Sequence, residues 1–286
     1  MAFIELKNVS VIYKPGTPYE AVALEDINLS IDNGEFLGII GPTGSGKSTL
    51  VQLLNGLIKP HKGKVFVDGI DLSGLRGYQL REMRRRIGLV FQYPENQLFE
   101  ETVAEDIAFG PRNLGLEEDE VRRRVIEAME FVGLDYESFK DRSPFTLSGG
   151  EMRRTAIAGI LAMGPEVLVL DEPSAGMDPR GRREILSRIA RVHEELKIAV
   201  VLVSHNMDDI ARFAQRVVVL NEGRLVLEGT PREIFSLGEK MRNLGLDVPP
   251  ITELVMRLRK RGINISPEIC TVDEAREEIL KLLGRR

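Results

Sequence analysis

Three separated segments hold residues whose types and spacing suit chemistry on a phosphate. Gly41-Pro42-Thr43-Gly44-Ser45-Gly46-Lys47-Ser48-Thr49 has the spacing in which successive backbone N–H groups wrap the phosphates of a nucleoside triphosphate. Glycines let the backbone come close, Lys47 can reach the β- and γ-phosphates, and Ser48 can hold Mg2+. A helix starting there would aim the positive end of its dipole at the anion. Far along the chain, Val167-Leu168-Val169-Leu170-Asp171-Glu172 ends an apolar run in two carboxylates. Alone, that is also how a buried strand surfaces into solvent. Beside a phosphate loop, Asp171 reads as a Mg2+ contact made mostly through water, and Glu172 as the group that polarises the attacking water. Between them, Leu147-Ser148-Gly149-Gly150-Glu151 opens a helix with a hydroxyl and two glycine amides, which is either an ordinary helix cap or a second anion cradle.

The surrounding pattern supplies elements to position these residues. Phe3 to Lys7, Ser10 to Tyr13 and Ile27 to Ile31 are β-prone runs parted by Pro15-Gly16, Pro18 and Asn33-Gly34. Phe36 to Ile40 reads as a buried parallel strand leading into the glycine loop, with a helix from about Lys47 to Leu57. Further strands are expected at Lys64 to Val67, Ile87 to Phe91, Val167 to Leu170 and Ala199 to Val203. Helices are expected at Val103 to Phe109, Glu118 to Val132, Glu151 to Met163 and Pro179 to Glu195, so the alternation predicts a parallel sheet. Arg216 to Leu220 and Arg224 to Leu227 read as a closing hairpin across Asn221-Glu222-Gly223. After Ser236 come Pro249-Pro250, two amphipathic helices (about Ile251 to Arg261 and Val272 to Leu283) and Ser266-Pro267 between them, the pattern of a small appended helical domain.

With Leu147-Ser148-Gly149-Gly150-Glu151 beside a phosphate loop, the sequence resembles the ATP-binding cassette ATPases over about residues 3 to 236. The resemblance implies an α/β fold, a P-loop NTPase cassette with a β-rich N-terminal subdomain, a RecA-like parallel-sheet core and a helical subdomain at about 93–150. The cassette would span 1–236 and a helical C-terminal extension 237–286. It implies ATP and Mg2+ as ligands, bound by Gly41, Thr43, Gly44, Ser45, Gly46, Lys47, Ser48 and Thr49. Gln92 resembles the Q-loop glutamine that senses Mg2+ and the attacking water, Asp178 the D-loop acid, and His205 the switch histidine at the γ-phosphate. His61 and His193 read as bland surface positions. Tyr13 resembles the aromatic that stacks on adenine, although a strand tyrosine also serves as core. In the family, Ser148, Gly149, Gly150 and Glu151 act in trans, closing on the γ-phosphate held by another subunit. One phosphate loop and one signature thus imply half of a two-site dimer, the second ATPase being the same chain or a paralogue. Glu151 stands where glutamine is commoner, and Gly176-Met177 departs from the usual residues before the D-loop acid.

Within that family, the stretch from Gln92 to Ser148 is too short for the long coiled coil of the chromosome ATPases and shows no sustained heptads. The single cysteine, Cys270, rules out the zinc modules of the repair class, and translation factors usually carry two cassettes, which leaves transport. Tyr93-Pro94-Glu95-Asn96-Gln97-Leu98-Phe99, Thr102-Val103 and Phe109-Gly110-Pro111 resemble the groove segment of energy-coupling factor transporter ATPases, which import vitamins and metal ions such as cobalt or nickel. Leu98 and Phe99 could equally be core. That resemblance implies a transmembrane coupling protein and a substrate-binding membrane protein as partners, with no direct contact between this chain and the transported substrate. The alternatives are an importer ATPase that works with a soluble receptor and a non-transport ATPase. The tail reads either as a dimer or regulatory element or as a cap on its own cassette.

Composition sets the outer limits. The 286 residues suit one large or two modest domains at roughly 150 residues each. A 43% hydrophobic content and 39 Lys and Arg against 44 Asp and Glu, a net charge of -5, exclude disordered and collagen-like classes and disfavour a nucleic-acid partner. One cysteine suits a reducing compartment. The apolar runs are strand-sized, far below the roughly 20 residues of a membrane span, and the N-terminus lacks the features of a signal peptide. The expected location is therefore the cytoplasmic face of the cell membrane, held there by partners.

Overall fold

The computed structural model describes residues 2–284. Two sheets face each other. The first is antiparallel, in the order β2-β1-β4-β5, from β1 (Ala2–Tyr13), β2 (Ala21–Asp32), β4 (Lys62–Val67) and β5 (Ile70–Asp71). The second has the order β10-β9-β3-β8-β7-β6, from β3 (Phe36–Ile40), β6 (Ile87–Val90), β7 (Val167–Asp171), β8 (Ala199–Val203), β9 (Arg216–Asn221) and β10 (Arg224–Gly229). It is parallel except for β10, which closes it as a hairpin with β9.

The central strands are apolar throughout because both faces are covered. Alternate residues point to opposite sides. Leu37, Ile39, Val167, Val169, Val201 and Val203 meet α1 (Lys47–Leu54) and the antiparallel sheet. Phe36, Ile40, Leu168, Leu170, Val200 and Leu202 face the helices. Those helices include α3 (Val103–Asn113), α4 (Glu118–Val132), α6 (Gly149–Ala162) and α7 (Pro179–Leu196), with α5 (Tyr136–Phe139) as a shorter piece, whereas Met83 of α2 (Gly77–Arg86) packs on the other side, against the cluster of Leu37 and Ile39. Because α6 packs on α3 and α4, the helical layer continues through Ala162.

Several boundaries differ from the sequence reading. β1 is one strand rather than two runs: Asn8 adopts φ +50, and its side chain and backbone bond Asp26 and Asn28 of β2, so the polar break between the runs is a bulge within the strand. α1 ends at Leu54, before Gly56 in the left-handed region. α2 carries no buried residue, which is why no apolar period announces it. α3 runs past Phe109 through Gly110 and Pro111, because Gly110 lies against Met163 where a Cβ would fall 2.7 Å from its Cγ. α6 begins at Gly149, so both glycines lie inside the first turn.

α8 (Met207–Phe213) precedes β9, and α9 (Pro231–Ser236), α10 (Gly238–Asn243), α11 (Pro250–Lys260) and α12 (Val272–Leu282) follow β10. Met241, Leu246, Val248 and Cys270 join the same core as Phe36, Val217 and Phe235, and a separate small cluster forms around Val255, Ile265, Ile269 and Ala275. The tail is thus anchored by apolar residues that the main core contains. Leu246→Ala should lower stability by about 2–5 kcal/mol, read as a shifted urea midpoint. An unchanged midpoint would mean that the tail does not share that core.

Candidate functional site

The parallel strands end level with one another. Ile39 and Asp171 both pair with Val203, and Val90 pairs with Leu170. The residues that follow β3, β8, β7 and β6 therefore arrive along one edge, the carboxyl end of the sheet, where open α/β folds place ligands. They are the glycine loop with Lys47, then His205, then Asp171 and Glu172, then Gln92. With Tyr13, Ala21 to Ala23 and Met207 they line one cleft of about 750 Å3.

Two glycines of the loop are required by their own chain rather than by a ligand. At Gly41 a Cβ would sit 2.2 Å from the Leu220 carbonyl oxygen, and at Gly46, with φ +102, 2.5 Å from that of Ala23. The Lys47 ammonium folds over the loop, donating to the carbonyls of Gly41 at 2.7 Å and Pro42 at 2.9 Å. Burial lowers its pKa, while Glu172 and then Asp171 pull it back up. Thr49 shares a 3.1 Å hydrogen bond with the Tyr13 hydroxyl. Tyr13 is 43% exposed at the cleft, so it is not a core residue.

Asp171 is the last, buried residue of β7. Burial raises its pKa, opposed by a hydrogen bond from the Ser48 hydroxyl and by the Lys47 charge. Glu172 follows with φ +53, a conformation that a non-glycine residue holds only when its surroundings enforce it. Burial raises its pKa as well, and the adjoining His205 opposes the rise. The Nδ1 of His205 lies 2.7 Å from the Glu172 Oε2. Of the other histidines, the His61 Nδ1 accepts the Ile12 N–H, and His193 packs edge-on to Phe36 with its Nδ1 2.9 Å from the Ile198 carbonyl oxygen.

Ser148, Gly149, Gly150 and Glu151 lie outside this cleft. Ser148 caps α6 in a capping box: its side chain accepts from the Glu151 N–H, and the Glu151 carboxylate accepts from both the N–H and the hydroxyl of Ser148. A Cβ on Gly149 would meet nothing within 4 Å, so internal packing does not explain a glycine there. Asp178 caps α7, accepting from the Gly181 N–H at 2.7 Å. Leu98 is core, whereas Phe99 is 56% exposed and meets Phe109 edge-to-face at 4.8 Å.

Sequence reasoning missed two groups. Gly245, Leu246 and Asp247 of the tail line the same cleft, and nothing local in the sequence marks them. Arg153 is buried at the N-terminal end of the α6 face that carries Ile157 and Leu161, and a charge at that spacing was a readable signal.

A glycine loop between a parallel strand and a helix, with acids at the end of a neighbouring strand, defines a phosphate-loop nucleotide-binding cassette. The ABC transporter family model matches residues 24–175. The energy-coupling factor transporter ATP-binding protein EcfA2 of Caldanaerobacter subterraneus subsp. tengcongensis is 58% identical over 280 residues, covering 98% of this chain and 97% of its own. Among solved structures, cbiO1 from Clostridium perfringens, described as part of the ABC transporter complex cbiONQ, superposes with TM-score 0.76 at 39% identity over 89% of this chain and 99% of its own. The ATP-binding cassette MJ0796, dimeric and bound to ADP and Pi, does so with TM-score 0.71 at 33% identity over 80% and 98%. The chain belongs to the ABC transporter family, among the ATP-binding proteins of energy-coupling factor transporters.

Behind the cleft, the Asp209 Oδ2 of α8 lies 3.6 Å from the Arg182 Nε of α7, and neither atom has a hydrogen-bond partner among the described residues. Burial pushes the Asp209 carboxyl up to about 6. Arg182 and His205 oppose this, and Asp208 and Glu172 reinforce it. Because this value exceeds the unfolded one, Asp209 favours the fold most at low pH, and that contribution is lost as pH rises through about 6. Urea unfolding from about pH 4 to 7 should therefore show wild-type stability falling relative to Asp209→Asn as pH increases. Parallel pH profiles would contradict this placement.

Proposed function

We propose that two copies of this chain, or one copy and a paralogue, close around two ATP molecules and hydrolyse them to drive import of a vitamin or metal ion through membrane partners. The observation that carries this reading is the split site. Lys47, Gln92, Asp171, Glu172 and His205 share one cleft, while Ser148 to Glu151, with the open face at Gly149, lie outside it. Each ATP would sit between the loop of one chain and the signature of the other, as the dimeric state of the related MJ0796 cassette supports.

In that arrangement Tyr13 stacks on the adenine, and the amides of Gly41 to Thr49 and the Lys47 ammonium hold the phosphates. The Ser48 hydroxyl, the Asp171 carboxylate and the Gln92 amide are hard oxygen donors, too few to cage a cation alone, which fits Mg2+ carried in with the nucleotide and keeping its waters. When bound, Mg2+ neutralises phosphate charge. Glu172 takes the proton of the attacking water, its burial moving it toward the basicity that a general base needs. His205 orients Glu172 and faces the γ-phosphate. The signature of the second chain brings its helix N-terminus to the same phosphate.

Exposed Tyr93, Phe99 and Phe109 support docking of the transmembrane coupling protein beside Gln92. No described helix is long and apolar enough to cross a membrane, in keeping with a peripheral subunit on the cytoplasmic face. Transported substrate would meet only the membrane partners, and no nucleic acid takes part. The tail beyond Ser236 regulates the cassette of residues 1–236 through Gly245 to Asp247 in the nucleotide cleft.

Glu172→Gln should bind ATP, accumulate as a dimer on size exclusion and hydrolyse at least about 100-fold more slowly. Near-normal turnover would overturn the assignment. Purification from membranes should recover a multi-span protein with the chain; ribosomes or DNA in its place would refute the transport reading.

A further inference from the structure

Arg153 stands five residues past Ser148 in α6, and its side chain is only 4% exposed. One edge of the guanidinium pairs with Glu95 in a fork: Nε donates to Oε2 at 3.1 Å and Nη2 to Oε1 at 2.7 Å. From the other side Nη1 donates to the carbonyls of Pro173 at 3.2 Å and Ala175 at 2.7 Å. Each partner belongs to a different part of the proposed machine. Glu95 lies in the short 3-10 turn Pro94–Gln97, three residues past Gln92 and between the exposed rings of Tyr93 and Phe99. Pro173 and Ala175 belong to the turn that leaves Glu172, closed by the Ala175 N–H on the Glu172 carbonyl at 3.1 Å and leading to Asp178.

We infer that Arg153 is a positioning residue that ties the membrane-facing segment after Gln92 to the Glu172 turn and to the signature helix, so that the three move as one unit. The inference rests on the roles proposed above for Glu172 and Gln92. Three features of the geometry carry it. A planar fork can hold a carboxylate and still direct N–H groups to two backbone carbonyls on its far side; a lysine cannot. The two carbonyls belong to the turn that follows Glu172, where φ is +53 and the Ala175 N–H closes back on the Glu172 carbonyl. Desolvating a charge pair is a poor means of stabilising a fold, since well-packed apolar side chains do as well, which leaves placement as its use. Displacing a reacting group by about 1 Å can cost about 100-fold in rate, so a loosened clamp acts on turnover while leaving the phosphate loop and its grip on ATP alone.

Steady-state ATPase kinetics and amide hydrogen exchange of the purified full-length chain test this in Arg153→Lys, in Glu95→Gln, which keeps the shape of the side chain, and in the double variant. Arg153→Lys should lower kcat at least about tenfold with KM for ATP within about twofold of wild type. Glu95→Gln should lower kcat less, and the double variant should lose no more than Arg153→Lys, because the two act as a unit. Amide exchange across residues 174–177 should quicken in both single variants while β7 stays protected. If Arg153→Lys does not fold, Glu95→Gln alone decides through kcat and exchange. Wild-type kcat and wild-type exchange in a folded variant would overturn the inference, as would kcat and KM changing together. Glu172→Gln assayed in parallel separates the two levels. If it turns over normally, the proposed base is wrong; if it is inactive while Arg153→Lys is normal, only the positioning role fails.

Discussion

The level ending of five buried parallel strands is the constraint on which the rest of the structure depends. Register in the sheet is held by side chains alternating between two fully apolar faces, and a slip of one residue would turn every one of them to the wrong side. That registry sets Ile39, Val203 and Asp171 at one height, with Val90 opposite Leu170 one residue earlier, and the chemistry follows from the residues that come next. The glycine loop, His205, Glu172 and Gln92 need no contact with each other in sequence, because the sheet aligns them.

Around that edge, burial and charge are in balance. Lys47, Asp171 and Glu172 are all pushed toward neutrality by desolvation, and each is partly restored by its neighbours. Such a cluster of partly buried charges is costly to leave without countercharge. The glycines divide the work differently from a simple reading of phosphate access. Gly41 and Gly46 make room for the carbonyls of Leu220 and Ala23, so the loop is shaped first by packing on the sheet and on β2.

Much of this was legible in the chain. Phosphate loop and paired acids are local patterns whose residue types and spacing suit chemistry on a phosphate, the signature is one that marks the family, and the central strands are unbroken apolar runs because both of their faces are covered. What escaped was of another kind. α2 buries nothing and so shows no period, α3 continues through a Gly-Pro pair that usually ends a helix, and Asn8 forms a bulge that joins two β-prone runs into one strand. In each case a tertiary contact, or the lack of one, outweighed local preference.

By itself the sequence determined the family, the strands of the core and the identity of the residues at the cleft, since these depend on local spacing and on the alternation of apolar side chains. Tertiary structure alone decided which of them meet. It placed Ser148 away from Lys47, brought Gly245 to Asp247 of the tail into the nucleotide cleft, and set Arg153 between Glu95 and the carbonyls of Pro173 and Ala175. The physical reason is that these contacts join positions tens of residues apart through packing of α6, the tail and the sheet, and no short-range pattern encodes a distance that only the closed core defines.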